Sequence, residues 1–136
     1  MIKAIVFDLD DTLINEAEFA LSAFKEISHQ LSSTLKQDAE KIYQLIINIY
    51  RINPQNVFNQ LFEILQIELS ENVLKTLIDS YRQHIPIHYQ LDDFTKENLL
   101  KLREKGVFLG IITDGYQVSQ KIKIIQARLF DMFDRI

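Results

Sequence analysis

Two short apolar runs, each stopping abruptly at carboxylate and hydroxyl residues, constrain this chain more than anything else in it. The first is Ile2-Lys3-Ala4-Ile5-Val6-Phe7, followed by Asp8-Leu9-Asp10-Asp11-Thr12. The second is Val107-Phe108-Leu109-Gly110-Ile111-Ile112, followed by Thr113-Asp114-Gly115. Short runs rich in β-branched residues and bounded by turn formers read as strands, and without polar alternation they read as strands buried on both faces of a parallel sheet. Parallel strands need crossover connections, so an open α/β sheet is expected, and such sheets bind ligands beyond the carboxyl ends of their strands. Both polar clusters fall there.

The interval between the runs has helical spacing. Asn15, with Glu18 three residues on, resembles a capping box, and Phe19, Ala20, Ala23, Phe24, Ile27 and Leu31 share one face. Thr34 and Gln37 suggest a second helix start, ahead of the stripe Ile42, Ile46 and Ile49. Asn53-Pro54 reads as a third, since Asn caps helices and Pro suits the first helical position. Ser70 reads as the cap of a fourth helix carrying Leu74, Leu77 and Tyr81. A return segment from His84 to Asp92, broken by Pro86, leads to a helix from Phe94 to Lys105, with Gly106 at its left-handed C-terminal cap. Gln117 to Ala127 forms a last helix. The expected organisation is an α/β core from residues 1–14 and 92–136, with a helical cap inserted over 15–91.

Bulk composition narrows the function. A net charge of −4 gives no reason to expect nucleic acid or an anionic membrane as partner. The absence of cysteine excludes disulfides, thiol chemistry and a thiolate zinc site. The apolar start is too short for a signal peptide or a membrane span, so a cytoplasmic protein is the simplest reading. If β structure continues through Leu9, Asp8 and Asp10 project to the same side. Two carboxylates held close need a cation or a shared proton, and magnesium, a hard ion that favours oxygen ligands and phosphate, suits them.

In this order and context the two polar clusters resemble the first two motifs of the haloacid dehalogenase-like superfamily. Asp8-Leu9-Asp10-Asp11-Thr12 looks like its Asp-x-Asp-x-Thr motif, and Thr113 looks like the hydroxyl residue that ends its second core strand. The helical insert and the stretch Lys101-Leu102-Arg103-Glu104-Lys105-Gly106 fit its helical-cap phosphatase branch. The resemblance implies a Rossmann-type core, here an incomplete parallel sheet of two to three strands, with a four-helix cap. It implies a magnesium-dependent phosphatase of small phosphorylated metabolites. Asp8 would be the nucleophile that forms an aspartyl-phosphate and ligates magnesium. Asp10 would be the general acid–base and a second metal ligand through its carbonyl. Thr113, with backbone N–H groups near Leu9 and at Asp114, would bind the phosphoryl oxygens. Dehalogenase members lack the acid at position 10, which favours phosphate chemistry. Asp11 carries no role beyond capping or exposure.

The family pattern continues with a Lys and an acidic pair. Lys121, Lys123, Asp131 and Asp134 stand in the wrong places for these, and all four are expected on a solvated surface. The third core strand would just be starting at Ile136. A partial product is therefore expected, or a chain that completes its open sheet edge by self-association. The competing readings are a non-catalytic binding module on the same fold and a phosphoacceptor receiver, which does not insert a helical bundle after its first acidic strand end. His84 and His88, separated by Pro86, read as loop histidines.

Overall fold

A computed structural model describes residues 2–136. Along the chain run β1 (Ala4–Phe7), α1 (Glu16–Leu35), α2 (Ala39–Ile52), α3 (Val57–Ile64), α4 (Glu71–Arg82), α5 (Asp93–Glu104), β2 (Phe108–Ile111) and α6 (Gln117–Gln126), with a 3₁₀ turn at Leu129–Asp131. Two compact units result, one holding Met1–Phe19 with Ile85–Ile136, the other Ala20–His84.

The first unit is the α/β part. Its strands pair in parallel, Ala4 opposite Phe108 through Phe7 opposite Ile111. On the far edge of β2, Gly110 forms an isolated parallel bridge to Arg135, and the Asp134 N–H donates to the Leu109 carbonyl at 2.8 Å. The Asp134 carboxylate in turn accepts the Leu109 N–H at 2.8 Å, so this residue stands in for a ladder bond and is more than a solvated acid. β2 is the buried strand, with Leu109 inaccessible. β1 departs from expectation: its residues alternate between exposed and half-buried, and Val6 is 55% exposed. Among the described residues β2 is the only strand that borders it, and the face carrying Ala4 and Val6 lies open.

Capping explains where the helices begin and end, and corrects two expected boundaries. Asn15 Oδ1 accepts the Glu18 N–H at 3.4 Å, as the sequence suggests. α1, however, runs through Thr34 and stops at Lys36, whose φ of 52° leaves the helical region. Asp38 then caps α2 by accepting from Lys41 N–H, so Thr34 and Gln37 start nothing. Asn53 closes α2, donating its N–H to Ile49, and Asn56 in the left-handed region precedes α3. An Asn in front of Pro can cap a start or fold an Asx turn, and here Asn53 Oδ1 takes the Gln55 N–H. Ser70 and Asp92 cap α4 and α5. The Asp92 carboxyl is held below its ordinary range by hydrogen bonds from the Thr95 hydroxyl and N–H.

The second unit is helical, with Ala20, Phe24, Ile27, Ile42, Ile46, Phe58, Leu61 and Leu77 among its buried residues. Phe24 sits among the rings of Tyr50, Phe58 and Tyr81, at centroid distances of 5.2–6.1 Å. His84 lies in the loop after α4, as expected, and is buried there, with Nδ1 2.7 Å from Glu26 Oε2 and Nε2 2.8 Å from Ser22 Oγ. Among the described residues no helix is long and apolar enough to cross a membrane.

Gly106 has φ +72° and no atom near the position a Cβ would take, so only backbone strain opposes a side chain there. Gly106→Ala is expected to destabilise the chain by about 1–2 kcal/mol in urea denaturation, the cost of a left-handed L-residue. An unchanged midpoint would show that α5 ends in another way in solution.

Candidate active site

β1 ends at Phe7, and the Phe7 carbonyl accepts the Ile112 N–H at 2.9 Å. Asp8 and Thr113 therefore stand just past the paired ends of adjacent strands. With Val6, Phe7, Ile112 and Asp114 they line an open concavity of about 380 Å³. Asp8 is exposed, and its Oδ1 accepts the Leu9 N–H at 2.8 Å. The amide that the family resemblance would assign to phosphate thus donates to the neighbouring carboxylate, while Leu9 itself is fully buried.

Beyond Asp8 the chain turns sharply instead of continuing as strand. The Leu9 carbonyl accepts from Leu13 and Ile14, the Asp11 N–H donates to Ile14 at 2.7 Å, and Asp11 takes φ 54°. Asp tolerates this region better than most residues. Asp11 Oδ1 also accepts the Glu16 N–H, the capping part expected of it. The alternation argument for Asp8 and Asp10 therefore does not operate, because the second carboxylate is placed by a turn and not by a pleat.

Asp10 instead meets helix α6. Its Oδ1 lies 2.6 Å from Lys123 Nζ, and its Oδ2 accepts from Gln120 Nε2 at 2.7 Å. The same Gln120 nitrogen donates to Thr113 Oγ1 at 2.9 Å, so one amide joins the first motif to the second. Lys123 is 4% exposed, which overturns its assignment to a solvated surface. The physical reason lies in the helix period. Ser119, Gln120, Lys123 and Ile124 are the buried stripe of α6, continued by Ala127 just past its end, and Gln120 and Lys123 reach inward to Asp10. Lys121 and Asp131 are exposed, as expected. The position of Gln120 and Lys123 in phase with Ile124 and Ala127 was the signal in the sequence that could have identified them.

Lys123 Nζ also lies 4.9 Å from the Phe19 ring centre and 3.8 Å from Glu16 Oε1. Partial burial, and next the Asp10 carboxylate, raises the Glu16 carboxyl above its ordinary range against the pull of Lys123. Burial, then the same Asp10 charge, raises the Tyr89 phenol, which stays protonated and donates to the Asn15 carbonyl at 3.1 Å. Among the described residues, Asp8 has no cation within ion-pair distance, and no cluster of three or more His, Cys, Asp or Glu surrounds it.

Comparison with known proteins agrees with these motifs. The family described as haloacid dehalogenase-like hydrolase matches residues 5–136. A glyceraldehyde 3-phosphate phosphatase of Methanocaldococcus jannaschii is 29% identical over the whole chain and 61% of its own length. That of Pyrococcus abyssi is 30% identical over the whole chain and 59% of its own length. The chain thus spans about three fifths of the length of these curated relatives. The HAD-hydrolase YfnB from Bacillus subtilis, solved bound to magnesium, shares the fold with a TM-score of 0.61 at 18% identity, over 99% of this chain and 61% of that one.

Lys123 is more deeply buried than its partner, whose side chain is 20% exposed. Removing one member of a buried ion pair strands the other charge, at roughly 3–5 kcal/mol. Asp10→Ala is therefore expected to cost more stability than Lys123→Met. The double variant should recover much of the loss in a double-mutant cycle read by urea denaturation. Additive losses would mean that the two groups do not interact in solution.

Proposed function

We propose that this chain, which belongs to the haloacid dehalogenase-like hydrolases, carries the phosphoryl-accepting machinery of a magnesium-dependent phosphatase that works through an aspartyl-phosphate. The observation that supports this most is the concavity shared by Asp8, Thr113 and Asp114 just past the paired strand ends, with Asp10 tied to Thr113 beside it. In this reading a carboxylate oxygen of Asp8 attacks phosphorus while Asp10 delivers a proton to the departing alkoxide. An aspartyl-phosphate results, and Asp10 then takes a proton from the water that releases inorganic phosphate and restores Asp8. Thr113 Oγ1 accepts from Gln120, so its own proton remains available for a phosphoryl oxygen.

The donor set suits magnesium, which binds through one or two carboxylates and keeps waters and substrate phosphate as its other ligands. The Asp8 carboxylate and the Asp10 carbonyl would hold it, since both Asp10 side-chain oxygens already have partners. When bound, the ion supplies positive charge at the transferring phosphoryl group. The names of the curated relatives favour a small phosphorylated aldehyde such as glyceraldehyde 3-phosphate as substrate.

Asp8→Asn is expected to abolish phosphate release from glyceraldehyde 3-phosphate with magnesium present. It should also abolish any acid-stable, hydroxylamine-labile phosphate trapped on the unmodified chain. Turnover that survives the substitution would remove Asp8 from the nucleophile role.

A further inference from the structure

We propose that Gln120 and Lys123 are the positioning residues of the general acid–base, together fixing the Asp10 carboxylate toward the leaving group; this rests on the reading of Asp10 given above. Both side chains are at least nine-tenths buried, and each takes one oxygen of the same carboxylate. A carboxylate has two rotatable bonds to the backbone, and misplacement by about 1 Å can cost roughly 10²-fold in rate. Donors on both oxygens remove that freedom. Each oxygen keeps a lone pair for a proton in transit.

Two features show that this arrangement is held against a cost. Among the described residues Gln120 Oε1 is buried without a hydrogen-bond partner, which is unfavourable because the acceptor has given up water without gaining a donor. The opposite amide orientation would point that oxygen at the Asp10 carboxylate, so the orphan acceptor follows from spending the amide nitrogen on Asp10 and Thr113. The second feature is Gly115. A Cβ there would lie 1.9 Å from Gln120 Nε2 and 2.5 Å from its Cδ, so the missing side chain is the space the amide occupies. Lys123 cannot serve as a freely mobile phosphate clamp, because it is enclosed and aimed at Asp10, with Glu16 and the Phe19 ring on its other sides. Its charge acts through the carboxylate.

The test compares two esters on the full chain with magnesium. An alkyl phosphate such as glycerol 3-phosphate needs a proton on its leaving alkoxide, whereas p-nitrophenyl phosphate does not. kcat/KM reports the steps through leaving-group departure. Lys123→Met and Gln120→Met are expected to lower kcat/KM about 10²-fold for the alkyl ester and only slightly for the nitrophenyl ester, with partial recovery in Lys123→Arg. Equal losses on both esters, or no loss on either, would overturn the proposal. A second readout does not depend on turnover. The side-chain amide protons of Gln120 should be protected from solvent exchange in the NMR spectrum, and both Asp10→Ala and Gly115→Ala should abolish that protection in a chain that still folds. Exchange as fast as that of an exposed glutamine, or protection unchanged in Asp10→Ala, overturns the positioning role. If the unmodified chain cleaves neither ester, the phosphatase reading falls, and the amide measurement alone decides whether Asp10 is held.

Discussion

The parallel register of β1 and β2 is the constraint on which the site depends. Pairing of Phe7 with Ile111, and the bond from Ile112 N–H to the Phe7 carbonyl, bring Asp8 level with Thr113 at neighbouring strand ends. A slip of one residue would turn every side chain of the strand to the opposite face. Leu9 and Leu109, both fully buried, resist such a slip. The two motifs are about a hundred residues apart in sequence, and four backbone pairs make them neighbours.

Helix α6 closes the arrangement from one side, and it does so with unusual residues for an inward stripe. Burying an ammonium is expensive unless it is paired, and Lys123 has Asp10 at hydrogen-bond distance, Glu16 farther off and an aromatic face beside it. Replacing both members of such a pair by apolar groups is often neutral or stabilising, so the pair adds little net stability. The choice of charge over an apolar pair at this position is what the proposed positioning of Asp10 would account for. Gln120 likewise commits its amide nitrogen to Asp10 and Thr113 and leaves its oxygen without a partner among the described residues.

Much of this was legible in the sequence because local rules and global fold agree. The strand-end clusters, the Asn15, Ser70 and Gly106 caps and the order of elements all follow from short-range patterns. What could not be read arose where two readings share one pattern. An Asn before Pro serves equally as a helix start or an Asx turn, and Asn53 does the latter. An apolar run cannot say which neighbours cover it, so the exposure of Val6 was invisible. A lysine on a helix is ordinarily solvated, and only its phase relative to Ile124 and Ala127 betrays the inward direction of Lys123. The turn at Leu9–Ile14 likewise depends on backbone hydrogen bonds that no alternation rule encodes.

The charge balance around Asp8 is lopsided. Asp8, Asp10, Asp11, Asp114 and Glu16 lie on the segments that bound the site, and the cation that the described residues bring to these acids, Lys123, is committed to Asp10 and Glu16. Asp8 and the concavity it lines are left with the negative side of this balance. A phosphate dianion entering there meets unit charges whose repulsion, at about 4 Å and an effective dielectric near 20, is of the order of 4 kcal/mol per pair. Backbone dipoles offset part of this, but the Leu9 amide already serves Asp8. Were Asp8 the nucleophile proposed above, its approach to a phosphate ester would call for a compact positive charge between the two. The exposure of Asp8 is thus the counterpart of the enclosure of Asp10: in the proposed mechanism the open carboxylate would face a hard cation and the substrate, and the one clamped from behind would handle protons.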